Sequence, residues 1–295
     1  MFSAIVIEDS IASNGVRLTS LQLEYPRFIH SELLTHRDFS RGSASSRAIP
    51  VAKLLEQVRN NPAMPVHWGK NQAGMQAKAE LPPSLIVSAK NVWADAATAA
   101  AYYAELLSQG IGLHKQVANR LLEPFVWMKV IVTATEWANF FELRDHPDAQ
   151  PEFYHLVHDH IRSAMNDSTP TFRPRERGHH SAWHLPYIAP EERTSIGDPR
   201  LLAKLSAARC ARVSYMNHDN KRPGQDEDLA LYERLVGQRP LHAGPIEHQA
   251  YPLPLATQRC KNFQGWRQHR DLVEIEAAGM KALKADALAK LETVK

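Results

Sequence analysis

Thirteen residues, Thr35 to Arg47, hold three arginines (Arg37, Arg41, Arg47), four serines (Ser40, Ser43, Ser45, Ser46) and His36 around Gly42. Guanidinium forks match phosphate oxygens in pairs, while hydroxyls and freed backbone N–H groups fill the acceptors that remain. Phe39 is the one large apolar side chain of the stretch, so neither a core strand nor an amphipathic helix is expected there. It reads as a loop able to cradle a phosphate, or as a plain solvated loop. Two more arginines stand in suggestive places. Arg120 lies in HKQVANRLLEP, and Arg144 closes the apolar run WANFFELR. Either one alone reads as a surface charge matched to a helix C-terminus.

Other polar clusters carry less chemistry. His155, His158 and His160 in YHLVHDH lack the carboxylate or cysteine partners of a metal site, so a solvated helix face is expected and no metal is predicted. His179, His180 and His184 in GHHSAWH read the same way. Lys70, Asn71 and Gln72 in WGKNQAGMQA make a candidate substrate-facing loop. Cys210 and Cys260 sit in neither an arginine-rich nor a helix-opening context that would lower a thiol pKa, so neither is read as a nucleophile.

Taken in order, the arginine segments resemble one family, the flavin-dependent thymidylate synthases. THRDFSRGSASSR is similar to their signature, with His36, Arg37, Ser40, Ser45 and Arg47 at matching spacing. RLLEP at 120–124 is similar to an Arg-x-x-Leu-Pro segment, and NFFELR with the later DAQ to an Asn-Phe-x-x-Leu-Arg helix followed by Ala-Gln. In that family an Ala-Arg-Val-Ser segment and a His-x-x-Pro-Phe-Glu-His box precede the signature. Here CARVSY (210–215) and HAGPIEH (242–248) follow it. The resemblance therefore implies a circularly permuted chain, in which residues 210–248 pack beside residues 32–47; catalysis needs proximity in space, not in sequence. Thr35, Gly42, Ser43 and Asp148 replace an arginine, an asparagine, a glutamate and a histidine of the family, and Thr133 and Thr135 stand where it has flavin-facing polar residues.

The resemblance also implies roles. Arg144 would lie on the N3/O2 edge of a uracil ring and stabilise the charge that develops there. Ser45, Arg47 and Arg120 would hold the monophosphate, with Glu32 and Ser43 as further nucleotide contacts. His36, Arg37, Ser40, Asn139, Ser214, His242 and Glu247 would contact FAD. NADPH would reduce the flavin, and methylenetetrahydrofolate would supply one carbon to C5 of dUMP. A homotetramer with shared sites is implied as well. Two alternatives stay open: a hydroxymethylated product, and a non-catalytic nucleotide- or RNA-binding protein.

The elements that must position these residues can be read along the chain. FSAIVIED and VRLTSLQLEY around Asn14-Gly15 predict a β-hairpin over about 2–25. Pro26 and Pro50 suit the first turns of helices carrying FIHSELLTHR and VAKLLEQV, and 61–90 reads as loop. Val92, Ala96, Ala99, Tyr103 and Leu106 mark one helix face, closed by Gly110. Val130, Ala134, Trp137 and Phe141 predict a long helix over 124–142. Residues 166–198 read as a connecting loop, and helices follow near Pro199, Asp226 and Asp271. An α+β fold is expected, mainly helical with an antiparallel sheet, divided into a nucleotide-binding half (1–165) and a flavin-binding half with the C-terminal helix (166–295) as one interlocked unit.

A formal charge of +3 is too small to argue for nucleic-acid binding. The absence of an 18-residue apolar run or signal-peptide layout, with only two cysteines, leads to the expectation of a soluble cytoplasmic protein.

Overall fold

The computed structural model describes residues 1–213 and 224–292 of the chain. The predicted hairpin is present: β1 (Ser3–Ala12) and β2 (Arg17–Pro26) pair antiparallel, and Gly15 takes the positive φ of 87° that the turn demands. A single 3-10 turn, Arg27–Ile29, follows Pro26 and leads into the short α1 (His30–Leu34). The serine-arginine stretch is not wholly loop. Ser40–Ser43 forms β3, an edge strand on β4 (Trp127–Ala134).

β4 corrects the expected long helix over 124–142. Its β-branched run, Val130-Ile131-Val132-Thr133, is paired on both sides, by β2 and by β3. Met128, Val130, Val132 and Ala134 alternate into one core, a period of two that the spacing of 130, 134, 137 and 141 had masked. Before it lie α2 (Val51–Asn60), α3 (Pro83–Glu105) and α4 (Lys115–Ala118). The helix of α3 begins at Pro83, inside the stretch read as loop, and its expected buried face is reversed. Val92, Ala96, Ala99, Tyr103 and Leu106 are exposed, while Ala97, Ala101 and Ala104 pack on Leu54, Leu55 and Val58 of α2. Small side chains let the two helices approach closely, so the alanine stripe wins the interface over the bulkier one.

After β4 come α5 (Ala138–Arg144) and α6 (Pro151–His155), which passes through a π-turn into α7 (Arg162–Asn166). The segment expected as a connecting loop contains β5 (Thr171–Arg173), parallel to β1, and α8 (Pro190–Ile196). α9 (Pro199–Arg212) opens as expected, with the Asp198 side chain accepting from the Arg200 N–H. α10 (Gln225–Tyr232), the small strands β6 (Ala250–Pro252), β7 (Arg259–Cys260), β8 (Phe263–Gln264) and β9 (Trp266–Gln268), and α11 (His269–Glu292) complete the chain.

The main sheet has the order β3-β4-β2-β1-β5 and is mostly antiparallel. Its first face carries Leu21, Leu23, Tyr25, Val130 and Val132, which pack with Phe140, Phe153, Leu156 and Val157 from the helices of the first half. The second face is covered by elements of the second half, where Ile131 meets Cys210 and Val213. Fold class is thus mixed α and β, with both faces of one sheet buried. No helix among the described residues is long and apolar enough to cross a membrane.

Candidate functional site

A register shift in β1 sets up the second face. Phe2, Ala4 and Val6 point into the first core, but a bulge between Val6 and Glu8 turns the residues beyond it over. Glu8 then stands opposite Ser20, Ser20 opposite Thr133, and Thr133 opposite Ser40. One row of polar side chains therefore crosses four strands on a face that is otherwise sealed.

Two histidines reach this row from the second half. Ala250 and His184 form an antiparallel bridge, which sets His184 and the nearby His248 over the sheet. Thr133 Oγ1 lies 2.9 Å from His248 Nδ1 and 2.6 Å from Ser20 Oγ. Ser20 Oγ lies 2.8 Å from His184 Nε2, and His184 Nδ1 lies 2.9 Å from Ser10 Oγ. Burial lowers His248 to about 3. It also puts His184 well below its ordinary value, helped by the charges of Arg173 and Arg193 and by His248. Both rings are neutral at physiological pH.

His248 Nε2 is buried with no hydrogen-bond partner among the described residues. The His248 residue is among those lining a cavity of about 270 Å³, together with Gly42, Ser43, Ser45 and His242, and with Cys210, Leu235 and Pro245 among its apolar walls. A Cβ on Gly42 would stand 3.0 Å from Ile131 Cγ2 and 3.5 Å from His248 Nε2, so glycine there keeps this wall open. The cavity joins residues 42–45 of the serine-arginine stretch to HAGPIEH and to the Cys210-Ala211 end of α9. Burial pushes the Cys210 thiol up, which leaves it a poor nucleophile.

The other expected site residues fall into separate groups. Arg144 donates from Nε to His36 Nε2 at 3.0 Å and from Nη2 to Thr35 Oγ1 at 3.1 Å, with the Glu32 carbonyl at 3.5 Å. Its guanidinium lies 5.3 Å from the Phe153 ring centre, and it has no carboxylate partner among the described residues. Burial, then the Arg144 and Arg41 charges, lowers His36 to about 4, so this ring accepts as a neutral imidazole. Glu32, His36 and Arg144 are thereby brought together.

Arg120 pairs with Glu123 at 2.9 Å, and the same carboxylate oxygen takes Ser46 Oγ at 2.6 Å and Arg27 at 3.2 Å. Glu123 thus ties Arg120 to the turn carrying Ser45 and the exposed Arg47. It also places a negative charge where a phosphate would sit.

Of the expected flavin residues that are described, Ser40 and Glu247 meet at Gln268, whose Nε2 donates to Ser40 Oγ at 3.1 Å and to the Glu247 carbonyl at 2.9 Å. Ser40 is buried against Asn262 and Gln268. Glu247 pairs with Arg270 at 2.6 Å, and Arg37 and Asn139 are exposed. His242 opens on the cavity, and Ser214 lies outside the described residues. A cavity of about 270 Å³ takes one ring system, near the lower end of ordinary ligand pockets at ~300 Å³. The described residues of one chain do not enclose a group of FAD's size.

Among the remaining histidines, His155 pairs with Asp159 and His158 with Asp145. Lys70, Asn71 and Gln72 are exposed. The sequence reading missed Ser10, Ser20, Glu123 and the roles of His184 and His248. Only Glu123 had a local signal, its place in RLLEP.

No protein-family model matches the chain, and no curated protein matches it. Among solved structures it is similar to the crystal structure of a UMP/dUMP methylase, PolB from Streptomyces cacaoi, bound with 5-Br UMP. The two share 13% sequence identity over 56% of this chain and 88% of that chain, with a TM-score of 0.43. A likeness of that size does not establish a common fold, and the functional reading stands on this chain's own residues.

Proposed function

We propose that the protein transfers a one-carbon unit to C5 of a pyrimidine nucleotide, with dUMP as substrate. The observation that carries this reading is the cavity between β3, α9 and the 244–247 turn. Segments that resemble one family's nucleotide and cofactor motifs line it together, although they lie far apart and in reversed order in the chain. The pyrimidine ring would occupy this cavity, with Ser43 and Ser45 on one wall and His242 and His248 on the others. Arg47 and Arg120 would take the phosphate, Arg120 exchanging Glu123 for it. Arg144, held by His36 and Thr35, does not line this cavity, so it would reach charge developing on the ring only from a second copy of the chain.

The reaction balances with a methylene donor. Bonding the methylene to C5 requires loss of the C5 proton. A methyl product then needs two electrons as hydride, whereas a hydroxymethyl product needs water. The resemblance alone assigns the donor to methylenetetrahydrofolate and the electrons to NADPH through FAD. FAD would need a second copy of the chain to complete its site, in keeping with the implied homotetramer.

The test is tritium release from C5-labelled dUMP with methylenetetrahydrofolate, NADPH and FAD, together with the product mass and the absorbance spectrum of the FAD-treated protein. Release with a gain of one methyl and a bound flavin spectrum is expected. Release with a hydroxymethyl mass removes the hydride step. Binding of dUMP with neither release nor flavin makes the protein a nucleotide binder, and the enzyme reading fails.

A further inference from the structure

The hydroxyl and imidazole row ends on His248, beside the cavity, at one end and on a carboxylate at the other. Ser10 Oγ lies 3.5 Å from Glu8 Oε1 and 3.2 Å from Arg173 Nε. Glu8 in turn is held by Arg173 at 2.5 Å and by Arg193 at 2.7 Å. From His248 the chain runs Thr133, Ser20, His184, Ser10, Glu8, and Ser10, Ser20, Thr133, His184 and His248 are each 0% exposed. Each internal link is a hydrogen bond of 2.6–2.9 Å, and each internal member can both accept and donate a proton. The last nitrogen of the row, His248 Nε2, has no partner among the described residues and lies 3.5 Å from where a Cβ on Gly42 of the cavity wall would stand.

We infer that His248 is the proton-transfer residue of the cavity: its Nε2 takes the proton a bound pyrimidine loses at C5, and the row behind it carries a proton to Glu8. The identity of that proton rests on the one-carbon reading; the continuity of the row does not.

The step balances. The C5–H bond breaks, its electron pair stays on the ring, and the proton bonds to His248 Nε2. The Nδ1 proton of the same ring passes to Thr133 Oγ1, and the Thr133 hydroxyl proton to Ser20 Oγ. The Ser20 proton passes to His184 Nε2, the His184 Nδ1 proton to Ser10 Oγ, and the Ser10 proton to the Glu8 carboxylate. Both rings begin and end neutral, having exchanged tautomers. This suits their surroundings, because burial disfavours the imidazolium at His248 and at His184. Burial likewise raises Glu8, against the pull of Arg193 and Arg173.

A continuous row makes a demand on the two rings. They must carry their proton on the same nitrogen, Nδ1 in both or Nε2 in both. If His248 held Nδ1–H and His184 held Nε2–H, both would direct protons toward the two hydroxyls, and the Ser20 hydrogen would have no acceptor.

Two measurements on the full chain test the proposal. In the first, Thr133→Val removes one link and Thr133→Ser restores it. Thr133→Val is expected to slow tritium release from C5-labelled dUMP on the order of a hundredfold, the usual scale of a lost acid–base group. It should change the KM for dUMP by less than about twofold and alter the solvent isotope effect, and Thr133→Ser should recover most of the rate. Wild-type turnover and isotope effect in Thr133→Val overturn the proposal.

The second is histidine ¹⁵N NMR without substrate, which reads each tautomer directly and is independent of the reaction. Nδ1–H tautomers are expected for both His184 and His248, uncoupled in Ser20→Ala. Opposite tautomers in wild type break the row, and Nε2–H on resting His248 leaves no acceptor for the C5 proton; either result overturns the proposal. If wild-type protein releases no tritium while the tautomers match, the one-carbon reading fails and the relay stands.

Discussion

The arginine groups and the hydroxyl–imidazole row obey different rules. Arg47 and Arg120 are exposed, one beside Ser45 and the other resting on Glu123. Water screens such charges, so each can be lost with little consequence for the fold. Ser20, Thr133 and His184 are wholly buried, and each depends on its neighbours for hydrogen bonds. Removing one member leaves others unpaired where water cannot help. Recognition of an anion can be distributed over a rim. A buried relay has to be complete.

The largest difference should appear in stability. His184→Leu strips the acceptor or donor from both Ser10 and Ser20 and is expected to cost about 2–5 kcal/mol, read as a lower urea midpoint. Arg47→Ala should leave that midpoint unmoved. Equal effects would mean that the row is as solvated as the rim.

The next effect depends on pH. His248 and His269 titrate at about 3 and about 4 in the folded chain, from an ordinary 6.5, because burial opposes their charge. Below pH 6.5 the unfolded chain binds protons that the folded chain refuses. Stability is therefore full above 6.5 and falls as pH drops toward the folded values, by up to ~1.4 kcal/mol per pH unit for each ring. Urea midpoints at pH 7.5, 6 and 5 should decrease in that order. A flat series would show that the rings are hydrated.

The smallest effects concern the arginines themselves, and they should differ among one another. Arg47→Ala is expected to weaken dUMP binding roughly tenfold, as for a charge-assisted phosphate contact. Arg120→Ala should cost less, because Glu123 already engages that guanidinium, and Glu123→Gln should tighten binding a few-fold. Arg144→Ala should depress turnover more than affinity if its proposed role is to stabilise charge developing on the ring. Calorimetry beside tritium release separates these outcomes. Tighter binding in Arg120→Ala would place the phosphate elsewhere.

Much of the secondary structure was legible in local pattern. Asn14-Gly15 marked the hairpin, Pro50 and Asp198-Pro199 marked helix starts, and the serine-arginine stretch marked one wall of the cavity. These features depend on φ restrictions, missing donors and caps, which act over a few residues. Helix α3 was found, but not its buried face, because facing an alanine stripe or a tyrosine stripe inward is decided by the partner helix. β4 was misread for a related reason: a run such as Val130-Ile131-Val132 satisfies either period until two neighbouring strands claim its N–H and C=O groups.

The types and spacing of residues along the chain determined the hairpin, the helix starts and the three arginine segments that carry the resemblance. Only the tertiary structure decided that Glu8, Ser10, Ser20, Thr133, His184 and His248 form one row. A hydrogen bond reaches about 3 Å, so membership depends on strand register and on the bulge between Val6 and Glu8 that turns Glu8 and Ser10 to the second face. Neither leaves a local mark in the sequence, because register is a relation between strands and not a property of either one.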